Sequence, residues 1–362
     1  FELYGRFSHK KGIYQWKYAG RFGSECELEA FEKKHELNDH APGKITSVKT
    51  EEKKQYAPKL FSLSDLQATA NKRFHYSASE TLKIVQGLYE KKLVSYPRTD
   101  TNYIGRPEFD YLKNALPSYL NLVNETIAEP QLKENKRYVD GANVQEHYTI
   151  IPTRTLSNLA ALSQKERNIY ELILYRTLSM FEKPYIYDET TIETTVHAVL
   201  FKTTGKVEKV MGWRKFYKNE KEIKKTTEEN QTLPTVREGD AVASHFYAKE
   251  GKTQPPKYYT EGTLITAMKN VGRDAEDEEN KAILRETEGI GTDATRANVI
   301  ETLKKQDYIT LQKNNVLVTP KGETLCEVIQ NDEIANASMT AKWEKYLKKI
   351  RNQEGTQEAF LS

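Results

Sequence analysis

The run Ser95-Tyr96-Pro97-Arg98-Thr99-Asp100 sets a phenol and a guanidinium two residues apart. Pro97 fixes its own φ and pushes Tyr96 into extended backbone. Side chains two apart on an extended segment project to one side, so Tyr96 and Arg98 are expected to face one target. A phenol is only about 0.1% ionised at neutral pH. A neighbouring guanidinium favours the phenolate and offers a planar fork to a phosphate. Attack of a tyrosine on a phosphodiester is therefore chemistry this pair can do. A Tyr-Pro-Arg turn also serves as a plain loop anchor, and these residues alone leave both readings open.

Three further constellations carry chemistry. His147, within Glu146-His147-Tyr148 and ahead of Ile150-Ile151-Pro152-Thr153, can donate to a phosphate oxygen or shuttle a proton. It can equally be satisfied by a backbone carbonyl. The segment from Gly289 through Ile290, Gly291, Thr292, Asp293, Ala294 and Thr295 to Arg296 has two glycines before a helix entry. That pattern allows close backbone approach and offers N–H groups to a phosphate, with hydroxyls and Arg296 nearby. It lacks GxxxxGK[ST], so it is not a nucleotide-binding loop. Lys342, Lys345, Lys348, Lys349 and Arg351 fall mostly on one helix face, either solvated or tracking phosphates.

The elements that must position these residues follow from periodicity. Residues 1–58 read as strands: YGRFSH and GIYQWKYAG alternate about Gly12, and GKITSVKTEEK follows. From about 62 to 182 the period is helical. Ser77 with Glu80 and Ser163 with Glu166 read as capping boxes. Leu82, Val85, Leu88 and Tyr89 fall on the apolar face of the first helix, and Ile169, Leu172 and Ile173 on that of the second. LVSYPRTDTNYIG and VQEHYTIIPTR interrupt this region as irregular segments. Strands return over 186–250, with TTIETTVHAVLF alternating and TGKVEKVMGWRKFY giving a turn and another strand. NEKEIKKTTEENQ reads as a charged loop. After Pro255-Pro256, Thr260 caps a helix with Leu264, Met268 and Val271 inward, ending at Gly272. An acidic loop, RDAEDEEN, precedes a helix from about Thr292 carrying Val299, Ile300 and Leu303. The pair DYITLQ and NVLVTP, joined at Lys313-Asn314-Asn315, completes a winged-helix order. The expected class is α+β multidomain: a β domain over 1–60 and 184–252, a helical domain inserted over 61–183, and a winged-helix-like domain over 253–362.

Composition narrows the function classes. In 362 residues, 55 basic and 52 acidic side chains leave a net charge of +3, so nucleic-acid binding has to come from local patches. The 22 tyrosines, with 12 Phe and 3 Trp, supply flat surfaces for packing or for stacking on bases. Two cysteines, Cys26 and Cys326, are too few for a four-thiolate zinc site or a disulfide framework. No stretch approaches the ~18–20 apolar residues of a membrane span, so no membrane partner is expected.

In combination the motifs resemble the type IA DNA topoisomerases, and within them the topoisomerase III branch. LVSYPRTDTNYI is similar to the active-site tyrosine motif, and QEHYTIIPT to the segment with a DNA-contacting histidine. PPKYYTEGTLITAM resembles the PP-x-x-[YF]-[ST] helix entry. AILRETEGIGTDATRANVIETL resembles the topoisomerase III form of the GIG-x-x-[AS]-T element, and MTAKWEKYL the closing helix. The five occur in order along the chain.

The resemblance implies that Tyr96 attacks a backbone phosphate of single-stranded DNA, forming a 5′-phosphotyrosine and a free 3′-hydroxyl. Religation then needs no ATP. Arg98 would hold the phosphate and His147 the nearby strand, with Thr292, Thr295 and Arg296 as further DNA contacts. The helical domain would be a gate and the β domain its hinge. The family's Toprim domain, with a general-acid glutamate and DxD-x-E magnesium ligands, has no counterpart here; the one dense acidic cluster is Asp274–Glu279. Mg2+ is thus expected for a full enzyme, with no metal ligands in this chain. On this reading the chain is a fragment, a cytoplasmic, nucleoid-associated monomer that relaxes no DNA without a Toprim partner. Two other classes compete. A tyrosine recombinase makes the opposite 3′ linkage from a nucleophile near the C-terminus, and a non-catalytic single-strand-binding module would not need Tyr96.

Overall fold

The computed structural model describes all residues except 19, 145, 157, 218–232, 271–288, 331–338, 340–342, 344–345, 348 and 362. The charged loop at 219–231, the acidic loop at 273–280, and Lys342, Lys345 and Lys348 lie outside the described residues. Two compact units result: residues 1–57 with 182–255, and residues 58–181 with 256–362.

The first unit is a six-stranded antiparallel sheet. Its strands are β1 (Glu2–His9), β2 (Gly12–Lys17), β3 (Pro42–Gln55), β4 (Tyr185–Val196), β5 (Val199–Val210) and β6 (Ala241–Lys249), in the spatial order β2-β1-β6-β3-β4-β5. Strand alternation sends Leu3, Phe7, Tyr14, Trp16, Ile45, Ile192, Phe201 and Phe246 into one core. The sheet curls on itself: Trp16 of β2 and Phe201 of β5, on opposite edges, meet edge-on at 4.5 Å.

Two expectations change here. Residues 1–58 are not all strand, because α1 (Glu25–Lys34) intervenes and buries Leu28 in the sheet's core. Its signal is a cap: Ser24 accepts from the Glu27 N–H at 3.2 Å, and Glu27 accepts from the Gly23 N–H at 2.7 Å. Second, the β4–β5 turn is at His197-Ala198, inside TTIETTVHAVLF, and β5 runs straight through Gly205. The alternation of buried and exposed residues continues unbroken from Val199 to Gly205, which is buried as a strand residue, so no turn forms there. GWRKFY winds into a short 3-10 turn instead of a strand.

The second unit holds α2 (Leu63–Phe74), α3 (Ala78–Glu90), α4 (Arg106–Leu122), α5 (Gln164–Met180), α6 (Glu261–Lys269), α7 (Arg296–Lys305), the hairpin of β7 (Ile309–Gln312) and β8 (Asn315–Val318), and α8 (Pro320–Ile329). Ser163 and Glu166 close a full capping box on α5, whose Ile169, Leu172 and Ile173 are buried. At α3 half the box forms: Ser77 accepts from the Glu80 N–H, while the Glu80 carboxylate pairs with Lys165 across to α5. Val85 and Leu88 are buried as the periodicity placed them, but Tyr89 is 39% exposed. Thr260 caps α6, where Ile265 and Met268 join Ala78, Ala297 and Ile300 in a small core. Val299 turns outward on α7, because Ala297 and Arg296 take the inward face. Val271 and Gly272 lie outside the described residues.

Candidate active site

The two irregular segments of the helical region lie side by side. Helix α3 stops where Lys92 takes a left-handed φ of 60°, and the Leu93 N–H donates back to the Leu88 carbonyl at 2.9 Å. The chain then runs extended. Ser95, Pro97 and Thr99 are buried, whereas Tyr96 is half-buried and Arg98 and Asp100 are exposed. That alternation leaves Tyr96 and Arg98 on the less buried side of the segment.

Hydrogen bonds zip this segment to residues 147–153. The Ser95 N–H donates to the Ile151 carbonyl at 2.9 Å, and the Ser95 hydroxyl donates to Thr149 O and accepts from the Ile151 N–H. The Thr99 hydroxyl donates to the His147 carbonyl at 3.2 Å, and the Thr153 N–H to Leu93 O at 3.0 Å. Tyr111 and Tyr119 of α4 hold the far side through their hydroxyls, on Pro152 O at 2.8 Å and Thr153 O at 2.6 Å. This pairing brings His147 against Tyr96, with ring centroids 4.4 Å apart, while Tyr89 approaches Tyr96 edge-on at 5.5 Å.

Two clefts open at this seam. One, of about 540 Å³, is lined by Tyr96, Tyr89, Tyr148, Lys92 and His147 among others. The second, of about 220 Å³, is lined by Arg98, Thr99, Asp100, Thr292 and Asp293, and again by Glu146 and His147. Tyr96 and Arg98 thus open into neighbouring clefts that share His147. Among the described residues the Tyr96 hydroxyl, the Arg98 guanidinium and the His147 ring nitrogens make no hydrogen bond or ion pair, as is also true of the Lys92, Asp100, Glu146 and Tyr148 side chains around them. Tyr111 and Tyr119 contrast sharply: burial pushes both phenols well above the usual tyrosine range, and both hydroxyls are committed to backbone.

The Gly-rich segment is built differently from the expected phosphate cradle. Gly289 has φ +80°, and a Cβ there would lie 2.2 Å from the Met268 carbonyl oxygen, so its close approach is to the end of α6. The Ile290 N–H donates to that same carbonyl at 2.9 Å. The Thr292 N–H is taken by the Thr295 hydroxyl at 2.9 Å. Arg296 is 1% exposed and is not a surface contact for a strand. Its guanidinium donates to Ser64 Oγ (3.0 Å), Ile290 O (3.0 Å) and Gly291 O (2.7 Å), and pairs with the buried Asp293. Asp293 also accepts from the Ser64 N–H and hydroxyl at the first turn of α2. Arg296 therefore anchors the loop on α2, and Thr292, Asp293 and Ala294 are the loop residues that line the cleft.

Sequence reasoning missed a second buried clamp. Glu261, 1% exposed, accepts from the Ala78 N–H at 2.8 Å and from Lys304 at 2.9 Å, joining α3, α6 and α7. Its only signal was a carboxylate in the first turn of an N-capped helix, which usually marks a solvated side chain.

No three His, Cys, Asp or Glu side chains converge among the described residues, so these residues do not fit the magnesium that the motifs imply. None of the described helices is long and apolar enough to cross a membrane.

Comparison with known proteins agrees with this geometry. Residues 1–362 match the family model described as DNA topoisomerase. DNA topoisomerase 3 from Bacillus licheniformis is 36% identical over 329 residues, which are 88% of this chain and 45% of that protein. The Bacillus subtilis DNA topoisomerase 3 is 36% identical over 316 residues, 84% of this chain and 43% of that one. The chain thus spans less than half the length of these relatives. Full-length topoisomerase I from Thermotoga maritima shares the fold, with a TM-score of 0.70 at 23% identity over 99% of this chain and 56% of that one. With its whole length matched by the family model and its tyrosine segment paired to its histidine segment, this chain belongs to the DNA topoisomerase family.

Proposed function

We propose that the chain carries the nucleophile half of a topoisomerase III-type enzyme, cutting single-stranded DNA at the Tyr96 seam. The observation that carries this reading is the set of uncommitted side chains on two zipped segments: Tyr96, Arg98 and His147, where two clefts meet. Tyr96 Oη forms a bond to the backbone phosphorus as the P–O3′ bond breaks. The phenol proton leaves and O3′ gains one, giving a 5′-phosphotyrosine and a 3′-hydroxyl. Return attack by that hydroxyl reseals the strand, so the phosphodiester's energy is kept and ATP is not consumed.

Arg98, exposed two residues on, neutralises charge on the phosphate oxygens. The His147 ring lies against the Tyr96 ring and sets its angle of approach, with its nitrogens free for the strand. Thr292 contacts the strand at the second cleft. The reaction also needs an acid to protonate O3′ and, by the resemblance, a metal set; no metal-holding group of three converges among the described residues, and no step here runs through magnesium. We assign both to a Toprim partner, and the 362 residues alone, acting as a monomer, are expected to relax no plasmid.

The test is a 3′-end-labelled single-stranded oligonucleotide incubated with magnesium and this chain, with and without a separately expressed Toprim-containing piece of a topoisomerase 3. Label on this chain only in the mixture, and none with Tyr96→Phe, is the expected result. Gel retardation without label in either case would leave a single-strand-binding module instead.

A further inference from the structure

The sheet of the first unit has an outer face whose two halves differ. On β3, β4 and β5 that face is a ladder of threonines and cross-strand ion pairs, such as Lys202 with Glu193 and Lys206 with Glu189. On β2, β1 and β6 it carries rings and cations. Register sets Lys17, Tyr4 and Tyr247 in one row and Gln15, Arg6 and His245 in the next, all pointing away from the core. Tyr4 and Tyr247 stack at 5.4 Å and 16°, and His245 continues the stack at 6.2 Å from Tyr247. Lys249 lies 4.6 Å from the Tyr4 ring centre and 5.8 Å from that of Tyr247. Arg6, exposed in the second row, has no ion pair among the described residues. Two carboxylates touch the patch, and each is occupied: Glu2 by Lys17 at 2.6 Å and Asp39 by His245 at 2.6 Å.

We propose that this half-face is a second binding surface for single-stranded nucleic acid, separate from the Tyr96 seam. Bases stack on the edges of the tyrosine row, and Arg6 and Lys249 meet the phosphates on either side. An antiparallel sheet with outward aromatics two residues apart from cations fits a splayed single strand, since every base has a π-face. A duplex buries those faces. Arg6 and Lys249, neither in an ion pair among the described residues, lie beside the ring row, and that pairing of cations with rings favours a polyanion with bases over a protein surface.

A short oligothymidylate carrying 5-bromodeoxyuridine tests this on the whole chain, by photocrosslinking with peptide mapping and by fluorescence titration across salt. Crosslinks to the Tyr4 and Tyr247 peptides are expected, alongside any at the Tyr96 seam. The double variant Tyr4→Ala, Tyr247→Ala should lose the former only and weaken that phase of binding about tenfold or more. Arg6→Ala with Lys249→Ala keeps the rings and should lower the salt slope by about 0.7 per cation. Circular dichroism melting confirms that each variant is folded. Absence of crosslinks at Tyr4 and Tyr247 in wild-type chain, or unchanged titrations in both variants, overturns the proposal. Loss of crosslinks at the Tyr96 seam alone would instead count against the active-site reading and leave this surface standing.

Discussion

Tyr96 differs from Tyr111 and Tyr119 in what its hydroxyl is left to do. Tyr111 and Tyr119 donate to carbonyls and are driven up in pKa by burial, which makes them braces. Tyr148 is also pushed up, by burial first and then by the Glu108 carboxylate and Tyr89. Tyr96→Phe should therefore abolish covalent labelling in the complemented reaction while leaving the melting temperature and oligonucleotide retention unchanged. His147 separates two roles by substitution. A ring pair of this kind contributes about 0.5–1.5 kcal/mol, so His147→Ala should slow cleavage roughly two- to thirteenfold through lost orientation. His147→Phe restores the ring and should recover that part, leaving only the loss due to strand contact; single-turnover rates against binding constants read the split. Arg296 is a different case. Removing one partner of a buried pair costs about 3–5 kcal/mol, so Arg296→Met should unfold at markedly lower denaturant. A stable Arg296→Met with merely weakened DNA binding would return this residue to the strand contacts.

At the scale of elements, caps and one glycine hold the seam's supports in place. Ser163 accepts from the Glu166 N–H, and Glu166 accepts from the Ser163 N–H at 3.0 Å and from Lys91 past the end of α3. The Lys91 hydrogen bond first, then those of Ser163, hold the Glu166 carboxyl below the usual glutamate range. A depressed folded pKa means the contribution is present above the unfolded value of about 4.3 and lost as pH falls through the folded one. Glu166→Gln should accordingly lower stability by a constant amount at neutral pH and above, and flatten the acid limb of the stability–pH profile, where variant and parent converge. Gly289→Ala places a methyl carbon against the Met268 carbonyl at a positive φ and should cost about 1–3 kcal/mol, detected by denaturant unfolding. Caps were legible in the sequence because a Ser or Thr ahead of an apolar period is a local signal, as Ser77, Ser163 and Thr260 show. The α1 helix carries the same kind of signal in Ser24 and Glu27, but it is short and flanked on both sides by strand alternation, which masks it in the sequence.

For the whole molecule, the change from period 2 to period 3.6 and back located the sheet's two contributing stretches, since burial of one face forces those periods. Neither the zipping of residues 93–100 to 147–153 nor the Arg296–Asp293–Ser64 clamp was legible. Both join positions far apart in the chain, and nothing in a local pattern says that an arginine after a Gly-rich turn goes inward. The candidate residues were found as types, while their proximity is a property of the fold. On the proposed function, Tyr96 becomes bonded to a DNA 5′-phosphate. The most direct measurement is mass spectrometry of the covalent complex from the complemented reaction, after nuclease trimming and proteolysis. A nucleotide joined through its 5′-phosphate to the peptide containing Tyr96 is the predicted result; a 3′-phosphate linkage, or a modified residue elsewhere in the chain, would contradict it.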